Sequence, residues 1–247
     1  MIKLERRFHP LCLNPSETTR LTKIFKEKST SVWNFNDLKS ALLETSFGKC
    51  AYCECDLTKE SKYMEVEHFL DKDTYPNEVV NWQNLLPSCK RCNGSKGSHN
   101  VVKTPIIDPY TSDPRHHLQF RFYRFRAKTN IGLETIGAVD LNNSDRAVMV
   151  RFEIGERLHE TLLKARERLE AYKANLSTRT KNLLIATIKS VLTECQCFAE
   201  YSATTATVLH SDSEYGYIKT EMCNLGLWDS ELTDLDSASS LLKLDIC

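Results

Sequence analysis

No run of about eighteen apolar residues interrupts the 247-residue chain, so the sequence offers no membrane-spanning helix. An excess of either charge is also missing, since 33 Lys and Arg balance 33 Asp and Glu. Neither a polybasic protein nor an acidic disordered one fits that balance. Glycine and proline are sparse, at 8 and 7 residues, which excludes collagen-like and low-complexity chains. The opening residues MIKLERRFHP meet charge at Lys3 and lack the apolar core of a secretory signal. A cytoplasmic protein with no membrane partner is expected.

The breakers that do occur are unevenly placed. All seven prolines lie at or before Pro114, and five of the eight glycines at or before Gly137. The first half therefore reads as turns, short strands and loops, and the second as long helices. Residues 34–49 read as one helix, capped by Asn36, ended by Gly48, with Leu38, Leu42 and Phe47 on one face. The stretch MEVEHFL reads as a short strand, and 117–126 as another with Phe120 and Phe122 opposite Arg121. Beyond Leu141 the polar NNS supplies capping residues. Val148, Phe152, Leu158, Leu162 and Leu169 then recur at helical spacing, as do Leu184, Ile188, Val191, Leu192 and Phe198. An α+β fold is expected. Its divisions are a helical arm over 1–48, a compact module over 49–130 and a helical domain over 131–247.

Neutrality overall hides a charge pattern. Residues 87–128 carry nine basic and two acidic groups, a local excess of +7, while 129–247 carry twelve and eighteen, or −6. Such a basic window is compatible with phosphate binding.

Ten cysteines are many for a chain in a reducing compartment, where close pairs more often hold metal than form disulfides. Cys50 and Cys53, then Cys89 and Cys92, make two C-x-x-C knuckles whose four thiolates suit a closed tetrahedral zinc site. Cys55 is an alternative to Cys53, although C-x-C fits a knuckle less well. Thirty-five residues separate the pairs, more than a zinc ribbon needs, and they contain Glu67, His68 and Asn84. Cys195 and Cys197 read as buried small apolar residues. His99 has no assigned role.

The order is two knuckles around Glu67-His68, then Asn84-Leu85, then Cys92-Asn93-x-x-Lys96. It resembles the zinc-containing HNH endonuclease family over about residues 50–97. What that resemblance implies is a zinc-stabilised ββα-metal module that hydrolyses phosphodiesters with one Mg²⁺ or Mn²⁺, leaving 5′-phosphate and 3′-hydroxyl ends. His68 is the candidate general base, because an imidazole near neutral pKa can take a proton from water. By the same resemblance Glu67 and Asn93 hold the catalytic cation, for which oxygen donors are suited. Asn84 bonds backbone across the loop to orient His68, and Lys96 holds a phosphate.

The longer stretch EHFLDKDTYPNEVVNWQNLLPSC resembles the PtuB group of the Septu antiphage systems, with Asp71 where proline is usual. The group implies a nuclease working with a PtuA-like ATPase of the ABC/SMC type, and the helical C-terminal half is then a candidate docking surface. DNA is the favoured substrate. RNA, tRNA in particular, and a non-catalytic zinc-stabilised binding module are the alternatives.

Overall fold

The computed structural model describes residues 1–59 and 63–247, and the chain divides into two compact units. Unit 1 comprises 1–118 and 125–143, and unit 2 comprises 119–124 and 144–247. The architecture is α+β, mostly helical with small sheets. No helix among the described residues is long and apolar enough to cross a membrane.

In unit 1, helix α1 (Pro15–Lys28) starts at Asn14, whose side chain accepts from the Glu17 amide, with proline at its first position. Helix α2 spans Asn36–Thr45, shorter than the expected 34–49. Leu38 and Leu42 are buried, whereas Phe47 lies beyond the helix with φ 58° and is 38% exposed. Asn36 is the first helical residue and Phe35 occupies the cap without a side-chain bond. Gly48, at φ 74°, turns the chain toward the first knuckle.

Strand β1 (Met64–His68) pairs antiparallel with β2 (Leu85–Cys89), setting Met64 opposite Cys89 and His68 opposite Leu85. Helix α3 (Lys90–Lys96) follows β2 directly and packs on both strands. Tyr52, Val79, Trp82, Leu85, Leu86 and Ile107 are buried around this ribbon. Residues 1–48 are not a separate arm. Met1 is buried with its amino group 2.5 Å from Glu54, and Arg6 donates to the Leu85 carbonyl at 2.8 Å. Apolar residues at Leu4, Leu13, Leu38 and Leu42 belong to the same core, so the segment is held by burial.

The single strand expected over 117–126 is instead two, β3 (Leu118–Arg121) and β4 (Arg124–Ala127). Phe122 and Tyr123 between them have φ 47° and 59°, the left-handed pair that a two-residue hairpin turn requires. Asn-Gly would have signalled that turn; two aromatics do not. Phe122 is 72% exposed rather than on a buried face. Tyr123 is retained by contacts within unit 2: its hydroxyl donates to Glu156 at 2.9 Å and its ring meets Phe152 edge-on at 5.3 Å. Helix α4 (Asn130–Ala138) closes unit 1.

Unit 2 is a helical bundle. A π turn at Ser144–Val148 leads into α5 (Met149–Ala174), followed by α6 (Thr178–Thr193), α7 (Ser202–Ser211), α8 (Ser213–Asn224) and α9 (Ser230–Ser240). Leu158, Leu162, Leu169, Leu184, Ile188 and Cys195 share its core. Phe152 and Phe198, expected on the apolar stripes, are 42% and 55% exposed, and Phe198 lies past the end of α6. Strand β5 (Asp245–Ile246) adds in parallel to β3, with Gln119 opposite Asp245.

Within unit 1, a Cβ built on Gly132 of α4 stands 2.1 Å from the His117 carbonyl oxygen. Backbone cannot yield as a side-chain tip can. Gly132→Ala is therefore expected to cost about 1–3 kcal/mol by overpacking, read as a lowered urea midpoint.

Candidate metal centres

The first centre is built by two turns. At the first knuckle the Glu54 amide donates to the Cys50 carbonyl at 3.0 Å, and Glu54 adopts φ 65°. At the second, Cys89 is the N-cap of α3 and its sulfur accepts from the Cys92 amide at 3.4 Å. The Sγ atoms of Cys50, Cys53, Cys89 and Cys92 all lie within 4.8 Å of one another, and Cys53 and Cys89 are 3.8 Å apart. Tetrahedral zinc with Zn–S of about 2.3 Å needs sulfurs about 3.8 Å apart, so the group fits that ion. Cys55, weighed against Cys53, is buried nearby but stands outside this set of four. The Arg91 guanidinium donates to Cys92 Sγ at 3.4 Å, a cation beside thiolates that supports their charge.

The second centre is a cleft of about 410 Å³ lined by Trp33, Lys39, Glu65, Glu67, His68 and Asn93 among others. Period-two alternation puts Glu65 and Glu67 of β1 on one face, toward α3. Glu67 is 2% exposed, and the Lys96 ammonium sits 2.6 Å from its Oε1 without the alignment of a hydrogen bond. Burial pushes the Glu67 carboxyl up to about 7, against the pull of Lys96.

His68 ends β1. Its Nε2 lies 2.9 Å from the Val79 carbonyl, which can only accept, so Nε2 carries the proton and Nδ1 keeps the lone pair. Trp33 meets the imidazole edge-on at 4.6 Å. Burial pushes His68 down to about 4, which keeps the ring neutral near pH 7.

Asn84 acts on backbone alone. Its amide nitrogen donates to the carbonyls of Leu70 and Glu78, each at 3.0 Å, and its oxygen accepts from the Leu70 amide at 2.6 Å. The loop leaving His68 is thereby tied at both ends. Asn93, on α3, donates through Nδ2 to Glu65 Oε2 at 2.6 Å.

Lys96 does not stand where a phosphate could reach it. It is 3% exposed and its ammonium donates to the His68 carbonyl at 2.8 Å while contacting Glu67, so it serves as an internal counter-ion. Several cleft residues escaped sequence reasoning. The alternation of MEVEH could have picked out Glu65 beside Glu67. Trp33 and Lys39 come from a segment remote in sequence, and only folding brings them to His68.

The donor chemistry of the two centres divides cleanly. Four sulfurs with no open position suit zinc held for structure, while the carboxylates and amide of the cleft suit a hard divalent cation. Cys50→Ser or Cys92→Ser is expected to release zinc and lower the melting temperature, because metal binding contributes to folding. Elemental analysis beside a thermal melt checks this, with about one zinc per wild-type chain expected from a single four-sulfur site.

No protein-family model matches the chain, and no solved structure matches it. Among characterised sequences, the Septu protein PtuB of Bacillus thuringiensis is 45% identical over 233 residues, covering 94% of this chain and 90% of that protein. The Septu protein PtuB of Bacillus mycoides (strain KBAB4) is 29% identical over 163 residues, 49% of this chain and 55% of its own length. Identity sustained over nearly the whole of both chains is more than a shared motif, and the chain belongs to the Septu PtuB family.

Proposed function

We propose that the chain is a metal-dependent endonuclease of the HNH type, with a ββα-metal site, that hydrolyses phosphodiester bonds in nucleic acid, DNA favoured. Its setting is antiphage defence beside a PtuA-like ATPase of the ABC/SMC type, a role that membership of the Septu PtuB family supports. The observation that carries the chemistry is one cleft uniting an imidazole whose Nε2 is bonded to the Val79 carbonyl, a buried carboxylate and an amide.

His68 is the general base: Nδ1 takes the proton as water attacks phosphorus, the bond to the 3′ oxygen breaks, and that oxygen takes a proton from solvent, leaving 5′-phosphate and 3′-hydroxyl ends. Glu67 and Asn93 would hold Mg²⁺ or Mn²⁺, which would supply Lewis-acid stabilisation of the charge that develops on the phosphate. Asn84 fixes the loop that orients His68. Lys96 compensates Glu67 from inside. Phosphate contact then falls to Lys39 and Lys72, which line the same cleft.

His68→Ala is expected to lower cleavage by about 10²–10⁴-fold with zinc content unchanged. The check is plasmid DNA and total tRNA digested by wild type and variant with Mg²⁺, Mn²⁺ or chelator, each alone and with the ATPase supplied. A variant as active as wild type would remove His68 from the chemistry.

A further inference from the structure

The bond between Asn93 and Glu65 has a consequence for which atom the amide can offer. A carboxylate accepts hydrogen bonds and has none to give, so the group facing Glu65 Oε2 at 2.6 Å must be the Asn93 Nδ2. The Asn93 Oδ1 is thereby left without a hydrogen-bond donor among the described residues. A hard cation binds an amide only through oxygen. Were the amide reversed, a pair of N–H groups would replace that ligand.

Glu65 also sits where it can act steadily. It is the second residue of β1, opposite Ser88 in the ribbon register, and lines the cleft together with Glu67, His68 and Asn93. Helix α3 leaves the four-sulfur centre at Cys89, and β1 is paired with β2 there, Met64 opposite Cys89. The distance between Glu65 and Asn93 is therefore set by ordered elements rather than by a loop.

We propose that Glu65 is a positioning residue that locks the Asn93 amide with Oδ1 presented to the divalent cation of the cleft. This rests on the reading of the cleft as a divalent-cation site. Glu65 contributes orientation, and Asn93 contributes the bond.

A double-mutant cycle on Mn²⁺ affinity decides the point without any turnover. Mn²⁺ binding to the full zinc-loaded chain is measured by electron paramagnetic resonance for wild type, Glu65→Ala, Asn93→Ala and the double variant, with zinc content and melting temperature recorded for each. Loss of a residue that orients a ligand typically weakens metal binding about 10–100-fold, and Glu65→Ala is expected in that range. On the Asn93→Ala background the same change should then have no further effect, because no amide remains to orient. If the double variant instead loses the full extra factor, Glu65 acts on the cation directly and the positioning role is overturned while the cation site stands. A wild-type chain that binds no Mn²⁺ removes the cation site and the role of Glu65 with it. Should Glu65→Ala lose zinc, Glu65→Gln is run through the same cycle. Its amide can still accept from Asn93 but can also donate, so a smaller loss is expected, again vanishing beside Asn93→Ala.

Discussion

Four cysteine sulfurs crowded within 4.8 Å of one another are the constraint on which unit 1 depends. As thiolates they would repel, and a cation at their centre would make the crowding favourable. Two of the four belong to the turn at Cys50–Cys53, and two to the junction where β2 becomes α3. A metal held there would fix where α3 begins. What α3 delivers to the cleft region is placed from Cys92, with Asn93 next to it in the chain and Lys96 about one helical turn on.

The cleft carries polar groups that a core of this kind would ordinarily exclude. Glu67 and Lys96 are both nearly inaccessible, and taking such a pair out of water costs several kcal/mol per ion before their attraction repays it. A buried ion pair is weak ground for stability. It is better understood as the condition for keeping a carboxylate in the cleft at all. Asn84 adds the complementary restraint, since its three bonds to Leu70 and Glu78 replace the pairing that β1 loses where it ends at His68. The imidazole is then gripped from two sides, by the Val79 carbonyl and the Trp33 ring. The Val79 carbonyl fixes the tautomer, while burial keeps the ring neutral against the pull of that bond.

Much of the architecture could be read from spacing. The knuckles, the strand carrying Glu67 and His68, and the helices of the second half follow from short-range patterns, because metal-ligand turns and apolar periodicity are local properties. Where the pattern was local but the decision was not, the reading failed. Phe152 and Phe198 fit a helical stripe, yet neither is buried in the bundle core. Phe122 and Tyr123 alternate like strand residues and instead form a turn, stabilised at Tyr123 by Glu156 and Phe152 from more than twenty-five positions away.

Residue types and their spacing were enough to pick out the sulfurs suited to a soft metal, the oxygen donors suited to a hard one, and an imidazole beside a carboxylate. Those are properties of side-chain type and of separations along the chain. That Lys96 faces inward to Glu67, that Glu65 accepts from Asn93, and that Trp33 and Lys39 border the cleft came only with the folded chain. Orientation of an amide, and burial of an ammonium, depend on which groups approach from other elements. A one-dimensional pattern records a residue's neighbours along the chain, whereas electrostatic environment is set by neighbours in space.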